Sequence, residues 1–228
     1  MRPSDLDTVR SLSLFSQMPD AHFAVLTEAA LLQRFPPSVV LIDEGALPDF
    51  LHVVVEGQVE LFSQHAERET TIDIVQPVST FILAAVIRDE PYLNSGRTIA
   101  ESRILMIPAG AVRQLFSQNA TFARAVVSEL AQRYRGIVRT LKNERLRTSV
   151  ERLANWILRA DRQQGGTGQV SFPFDKRTLA SQLGMTPENL SRNLAQLTRH
   201  GIASNGRLIE IADRAALVAI ARPSDLID

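Results

Sequence analysis

The chain has 228 residues, 45% of them hydrophobic, with 25 Lys+Arg set against 25 Asp+Glu and no cysteine. That length holds two domains with real cores, and the lack of thiols excludes disulfides, thiolate-held zinc, cysteine nucleophiles and iron–sulfur clusters. The zero net charge hides an asymmetry: residues 1–138 carry 11 Lys+Arg against 16 Asp+Glu, a balance of −5, while residues 139–228 carry 14 against 9, a balance of +5. A basic C-terminal part suits a nucleic-acid partner. No apolar run approaches membrane-spanning length, and the start, MRPSDLDTVRSL, lacks a hydrophobic signal core, so a cytoplasmic protein without a membrane partner is expected.

In chain order, a helical segment is expected around Asp20 to Leu32. From Leu31 to Ile107, short β-branched and aromatic runs alternate with turn residues: Val39 to Ile42, Phe50 to Val55, Gln58 to Phe62, Thr70 to Val75, Thr98 to Ala100 and Ile104 to Ile107. Many strands at even spacing predict an antiparallel roll or barrel rather than a parallel sheet. Helices follow over Gly110 to Phe116 and from Asn119 to about Leu146. Along the second, Phe122, Val126, Leu130, Ile137 and Leu141 form an apolar stripe. Pairing with a second copy would bury it, so these five are the expected dimerisation residues; packing on the chain's own roll is the alternative. Arg133, Arg135, Arg139, Lys142, Arg145 and Arg147 mostly form a solvated face, with Arg145 and Arg147 as candidates for DNA phosphate contact. The glycine-rich Gln163 to Gln169 lacks the lysine and helix start of a phosphate loop and reads as a connection between Trp156's helix and a strand over Val170 to Phe174.

The stretch Asp175 to Arg199, DKRTLASQLGMTPENLSRNLAQLTR, reads as two amphipathic helices joined by a tight turn. Leu179, Ala180 and Leu183 recur at helical spacing, Gly184 makes the corner, and Thr186-Pro187 opens the next helix as N-cap and first-turn proline. Burying Leu190, Leu194 and Leu197 leaves Glu188, Asn189, Ser191 and Arg192 displayed near that helix's N-terminus. A carboxylate suits a cytosine amino group, and arginine suits the two acceptors of guanine. Two apolar runs around Asn205-Gly206, Ile202 to Ser204 and Leu208 to Ile211, add a two-stranded wing. Thr186, Glu188, Asn189, Ser191 and Arg192, with Lys176 and Arg177 on the preceding helix, are therefore the candidate DNA-binding residues.

This order of parts resembles the CRP/FNR family of transcription regulators over essentially the whole chain. The marks are LFSQMPDAHFAVL at Leu14 to Leu26, IDEGALPDFLHVVVEGQVELF at Ile42 to Phe62, SRILMIPAGAV at Ser102 to Val112, and the recognition helix. Family members that read TGTGA half-sites show R-E-x-x-x-R, and those that read TTGAT-like half-sites show E-x-x-S-R. Glu188, Ser191 and Arg192 match the second pattern, while Pro187 replaces the arginine of the first. The resemblance implies an α+β protein with a sensor roll over 1–116, a dimerisation helix and hinge over 117–146, and a winged helix-turn-helix over 147–228. It also implies a homodimer on a palindromic operator in double-stranded DNA, with RNA polymerase as a further partner. An effector would act by shifting the hinge near Asn143 to Thr148, which sets the spacing of two recognition helices roughly 34 Å apart.

The family's nucleotide cassette, roughly F-G-E-L and then R-S-A, corresponds here to Phe81-Ile82-Leu83-Ala84 and Asn94-Ser95-Gly96. No acidic residue lies between Gln76 and Ile87, and Asn94 stands where the phosphate needs a cation, with Arg97 the near substitute. Cyclic AMP is not expected, because an unmatched buried phosphate is costly. Phe81, Ile82, Ala84, Asn94, Ser95 and Arg97 are the candidate effector pocket. A haem sensing nitric oxide or redox state is one alternative, with His22, His52, His65 or the segment Met1 to Pro3 as ligand; regulation by abundance is another. No paired carboxylates with a histidine, serine elbow or metal spacing points to an enzyme. The rival reading is a small-molecule-binding or protein-interaction module on the same fold without a DNA role.

Overall fold

The computed structural model describes residues 3–172 and 175–228, and the chain divides into two compact units, residues 1–134 and 135–228. The first unit opens with α1 (Pro3–Arg10), α2 (Ser13–Ser16) and α3 (Asp20–Glu28). Eight strands follow: β1 (Leu31–Phe35), β2 (Val40–Ile42), β3 (Phe50–Glu56), β4 (Val59–His65), β5 (Arg68–Val75), β6 (Ser79–Phe81), β7 (Ser95–Thr98) and β8 (Ser102–Pro108), with α4 (Leu83–Arg88) between β6 and β7. They form two antiparallel four-stranded sheets, ordered β1-β8-β3-β6 and β2-β7-β4-β5. This is the expected roll, with two strands and α4 beyond those read from the sequence, and with the Thr98 to Ala100 run displaced to Ser95–Thr98.

Strand β3 shows how the roll is held. Residues 51–55 are buried on both faces, because side chains alternate across the sheet and each face meets a different layer. Val54 joins Ile42, Val59, Leu61, Val75, Phe81 and Ile104 between the sheets. Leu51, Val53 and Val55 face outward into a second core with Phe15, Leu26, Val112 and Phe122. That core is closed by α5 (Ala109–Gln118) and the start of α6 (Ala120–Leu146). Gly57 turns β3 into β4 at φ +85°, where a Cβ would sit 2.3 Å from Ser102 Oγ. No larger residue fits.

The second unit starts in the C-terminal part of α6. Helix α7 (Ser149–Gln163) begins with a capping box, in which Thr148 Oγ1 accepts from the Glu151 N–H and Glu151 accepts from the Thr148 N–H. There follow β9 (Gln169–Ser171), α8 (Lys176–Gln182), α9 (Pro187–Thr198), β10 (Ile202–Asn205), β11 (Leu208–Ile211) and α10 (Arg214–Ala221). The wing is a three-stranded antiparallel sheet in the order β10-β11-β9, one strand more than the hairpin expected. Pro173 and Phe174, the end of the expected strand from Val170, lie outside the described residues. Trp156 stacks on Phe172 with ring centroids 5.7 Å apart. The buried carboxylate of Asp161 accepts from the Gly168 N–H at 2.8 Å and pairs with Arg214, pinning the glycine-rich loop, which is indeed a connection.

Helix α6 corrects one expectation. Phe122 and Val126 are fully buried in the first unit's own core, which leaves them no surface for a dimer seam, while Leu130 packs against that core and stays half-buried. The reason is local: Phe15 offers a parallel ring to Phe122 at 6.4 Å, and the sheet and α5 complete an apolar bed. Further along, Ile137 (66% exposed), Leu141, Val127, Tyr134 and Val138 remain outside.

Candidate nucleic-acid interface

Helix α8 begins where Asp175 accepts from the Thr178 N–H at 2.7 Å, and α9 where Thr186 accepts from the Asn189 N–H at 3.3 Å, with Pro187 in the first turn. Leu179, Ala180, Leu183, Leu190, Leu194 and Leu197 are all buried, anchoring both helices. Each buried leucine stabilises the unit by about 2 kcal/mol. The helical period then dictates what is left outside: Glu188, Ser191 and Arg192 are exposed and Asn189 is half-buried.

Arg192 Nη2 donates to Asn189 Oδ1 at 2.6 Å, one turn back on the same helix. Ser191 Oγ donates to the Pro187 carbonyl at 3.0 Å. The Glu188 carboxyl is held below the usual carboxylate range by its own backbone N–H, then by the Thr186 hydroxyl and the charge of Arg192. The face therefore offers an ionised acceptor and a forked cation at the positive end of a helix. Lys176 and Arg177 are exposed at the start of α8, with Lys176 Nζ 5.9 Å from the Phe172 ring. All seven candidate DNA-binding residues thus lie on the two helices or at their caps.

Sequence reasoning missed the supports. Asn193 is buried behind α9, where its Nδ2 donates to Met185 Sδ at 3.5 Å. Arg147 is not available to a phosphate: its guanidinium is buried against Asp228, which corrects the earlier expectation for it. Arg133 likewise donates into β6, to Ser79 Oγ at 3.1 Å and to the Thr80 carbonyl.

The candidate effector residues are spread over the end of β6 (Phe81), the start of α4 (Ile82, Ala84) and β7 with the residue before it (Ser95, Arg97 and Asn94). Phe81 is buried, Ile82 is half-buried in the left-handed region at φ +61°, and Ala84 is exposed. Leu83 and Val86 of α4 fill the core, so the FILAAV run is largely occupied by its own side chains. Ser95 Oγ accepts from the Glu44 N–H at 3.0 Å. Arg97 is paired with Glu60 at 2.8 Å and Glu69 at 2.7 Å and lies over the Phe62 ring. A cation already shared by two carboxylates is a poor phosphate receptor.

The matches to known proteins agree with this architecture. Residues 32–119 match a cyclic nucleotide-binding domain model, and residues 151–220 match a Crp-like helix-turn-helix domain model. Over 92% of the chain and 96% of the relative, it is 24% identical to a CRP-like cAMP-activated global transcriptional regulator of Mycobacterium tuberculosis. FixK2 from Bradyrhizobium japonicum shares the fold with a TM-score of 0.74 at 20% identity, covering 86% of this chain and 98% of that one. A CooA mutant from Carboxydothermus hydrogenoformans shares it with a TM-score of 0.72 at 15% identity, covering 86% and 90%. A sensor roll, a long helix and a winged helix-turn-helix together define a class of DNA-binding transcription regulators rather than enzymes. The chain belongs to the CRP/FNR family of that class.

Proposed function

We propose that this regulator acts as a cytoplasmic homodimer that reads a TTG-containing palindrome without cyclic AMP, with RNA polymerase as its further partner. The observation that carries the reading is the exposed trio Glu188, Ser191 and Arg192 on the first turns of α9. Arg192 would donate twice to guanine and Glu188 would accept from the opposing cytosine. The same trio disfavours a fold-sharing module without a DNA role. The exposed residues Val127, Tyr134, Val138 and Leu141 repeat at heptad spacing on α6 with Ile137 flanking them, which suits a seam of these five with a second copy. Selection from a random DNA pool tests the operator, and recovery of TGTGA palindromes in place of TTG ones sinks it.

The mycobacterial relative is described as cAMP-activated. Against that mode here stand the Arg97 pairs with Glu60 and Glu69, and Ile82 and Leu83 where the cassette needs a carboxylate. Titration calorimetry with cyclic AMP should show no binding below about 100 μM.

A haem does not fit the residues present. His22 is exposed and bonded to Asn119 at 2.7 Å, and His65 is exposed on the β4–β5 hairpin. Met1 and Arg2 lie outside the described residues. The buried Nδ1 of His52 has no hydrogen-bond partner among the described residues, yet its ring stacks on Phe81 at 5.1 Å between close-packed strands, with no room for a porphyrin beside it.

A further inference from the structure

Every helix end leaves carbonyls without intrahelical partners. At the end of α8 part of the set closes locally: the Met185 N–H bonds the Ala180 carbonyl and the Gly184 N–H bonds the Ser181 carbonyl, both at 2.9 Å. Gly184 makes this possible at φ +61°. Two further carbonyls, those of Leu183 and Gly184, are taken by a side chain from another helix. Arg152 of α7 donates from Nε to the Leu183 carbonyl at 2.8 Å and from Nη2 to the Gly184 carbonyl at 3.1 Å. Its remaining nitrogen, Nη1, donates to the carbonyl of Arg147 at 2.8 Å, at the junction of α6 and α7.

One planar guanidinium thus holds three main-chain carbonyls on two segments distant in sequence. Its donors form a rigid fork, so none of the three acceptors can shift without straining the others. We infer that Arg152 is a positioning residue for operator binding, locking the turn that precedes the recognition helix to the hinge so that a hinge rotation is carried into α9 rather than absorbed by the turn. The inference rests on the palindrome reading above. In a dimer with recognition helices one DNA turn apart, this lock governs the tolerated half-site spacing. Base identity is left to Glu188 and Arg192.

The test compares the full-length protein on its selected palindrome with versions one base pair shorter or longer at the centre. The wild type is expected to lose roughly tenfold in affinity on either altered spacing, a penalty of the size of a mismatched base pair. In Arg152→Lys, a single point donor reaches one carbonyl at a time, so the spacing penalty should fall toward none while half-site sequence preference is unchanged. Arg152→Met should behave alike. A folded variant that keeps the wild-type spacing penalty overturns the inference, as does a wild type that accepts all three spacings equally. Hydrogen exchange on the wild type gives a readout independent of variant folding: operator binding should slow the amides of residues 149–152 and 183–186 together, and protection of one group alone also overturns it. Recovery of some other palindrome sinks only the operator reading, because the spacing comparison can be run on that palindrome.

Discussion

Arg147 and Asp228 form a two-point ion pair, Nη1 to Oδ1 at 2.6 Å and Nη2 to Oδ2 at 2.7 Å, with the arginine side chain only 6% exposed. The same guanidinium donates to Asn143 Oδ1 and to the Arg222 carbonyl, and Lys142 Nζ donates to the Leu226 carbonyl at 3.0 Å. Residues 222–228 are therefore a clasp on residues 142–147, where α6 runs into α7. Removing the carboxylate with Asp228→Ala strands a buried cation, which costs about 3–5 kcal/mol. Denaturant unfolding of the second unit should show that loss, and the double change Asp228→Ala with Arg147→Met should recover much of it. A double variant no more stable than the single one would mean the pair is not where the loss arises.

The clasp also has a pH signature. Burial pushes the Asp228 carboxyl up, but the Arg147 hydrogen bonds, the Ser224 N–H and the charges of Arg147 and Arg159 outweigh it and hold the group below its ordinary value. A carboxyl depressed in the folded state contributes stability that is full above its unfolded pKa and is lost as pH falls through the folded one. Acid unfolding of the second unit should therefore begin at a higher pH in Asp228→Asn than in the wild type. Coincident acid transitions would contradict it.

His52 gives the first unit a different acid sensitivity. Desolvation by burial lowers its pKa from 6.5 to about 4, and the residue is 3% exposed. The folded protein thus holds the ring neutral where the unfolded chain would protonate it. Stability is full above pH 6.5 and declines between about 6.5 and 4, by about 3 kcal/mol in total. In His52→Leu the slope across that interval should flatten, as monitored by urea unfolding at successive pH values; an unchanged slope would place the titrating group elsewhere.

What the sequence disclosed follows the range of the forces involved. The α8–α9 motif was legible because Thr186, Pro187, Gly184 and the leucine spacing act within a few residues of themselves. The roll was legible as alternating runs, but β6 and α4 were not. Phe81 to Val86 is apolar throughout, and a short apolar run reads alike as strand, helix or pocket. Periodicity reveals the α6 stripe but cannot say what a face packs against, so it groups Phe122 and Val126 with Ile137 although the first two face the roll. Arg147 with Asp228, and Arg152 with Leu183 and Gly184, join residues 31 to 81 positions apart. No local pattern announces such pairs.

The division of α6 predicts two different outcomes from one kind of substitution. A charge at Val126 enters the first unit's core and should destabilise its fold by several kcal/mol. A charge at Ile137 meets only solvent in the single chain and should leave that fold intact while dissociating the proposed dimer. Sedimentation and thermal unfolding of Val126→Asp and Ile137→Asp separate the two. An Ile137→Asp protein that stays dimeric at micromolar concentration would put the seam elsewhere.

The recognition helix carries the last expectation. Arg192→Ala removes a two-point contact to guanine and should cost about 1–3 kcal/mol on the selected palindrome, with binding to unrelated DNA far less affected. Because Arg192 is exposed and its hydrogen bond is to Asn189 at the surface, the change should leave the unit's unfolding transition nearly unmoved. The guanine position itself should become degenerate when selection is repeated with the variant. An equal loss on cognate and unrelated DNA would instead assign Arg192 to the phosphate backbone, where a cation raises affinity without reading sequence.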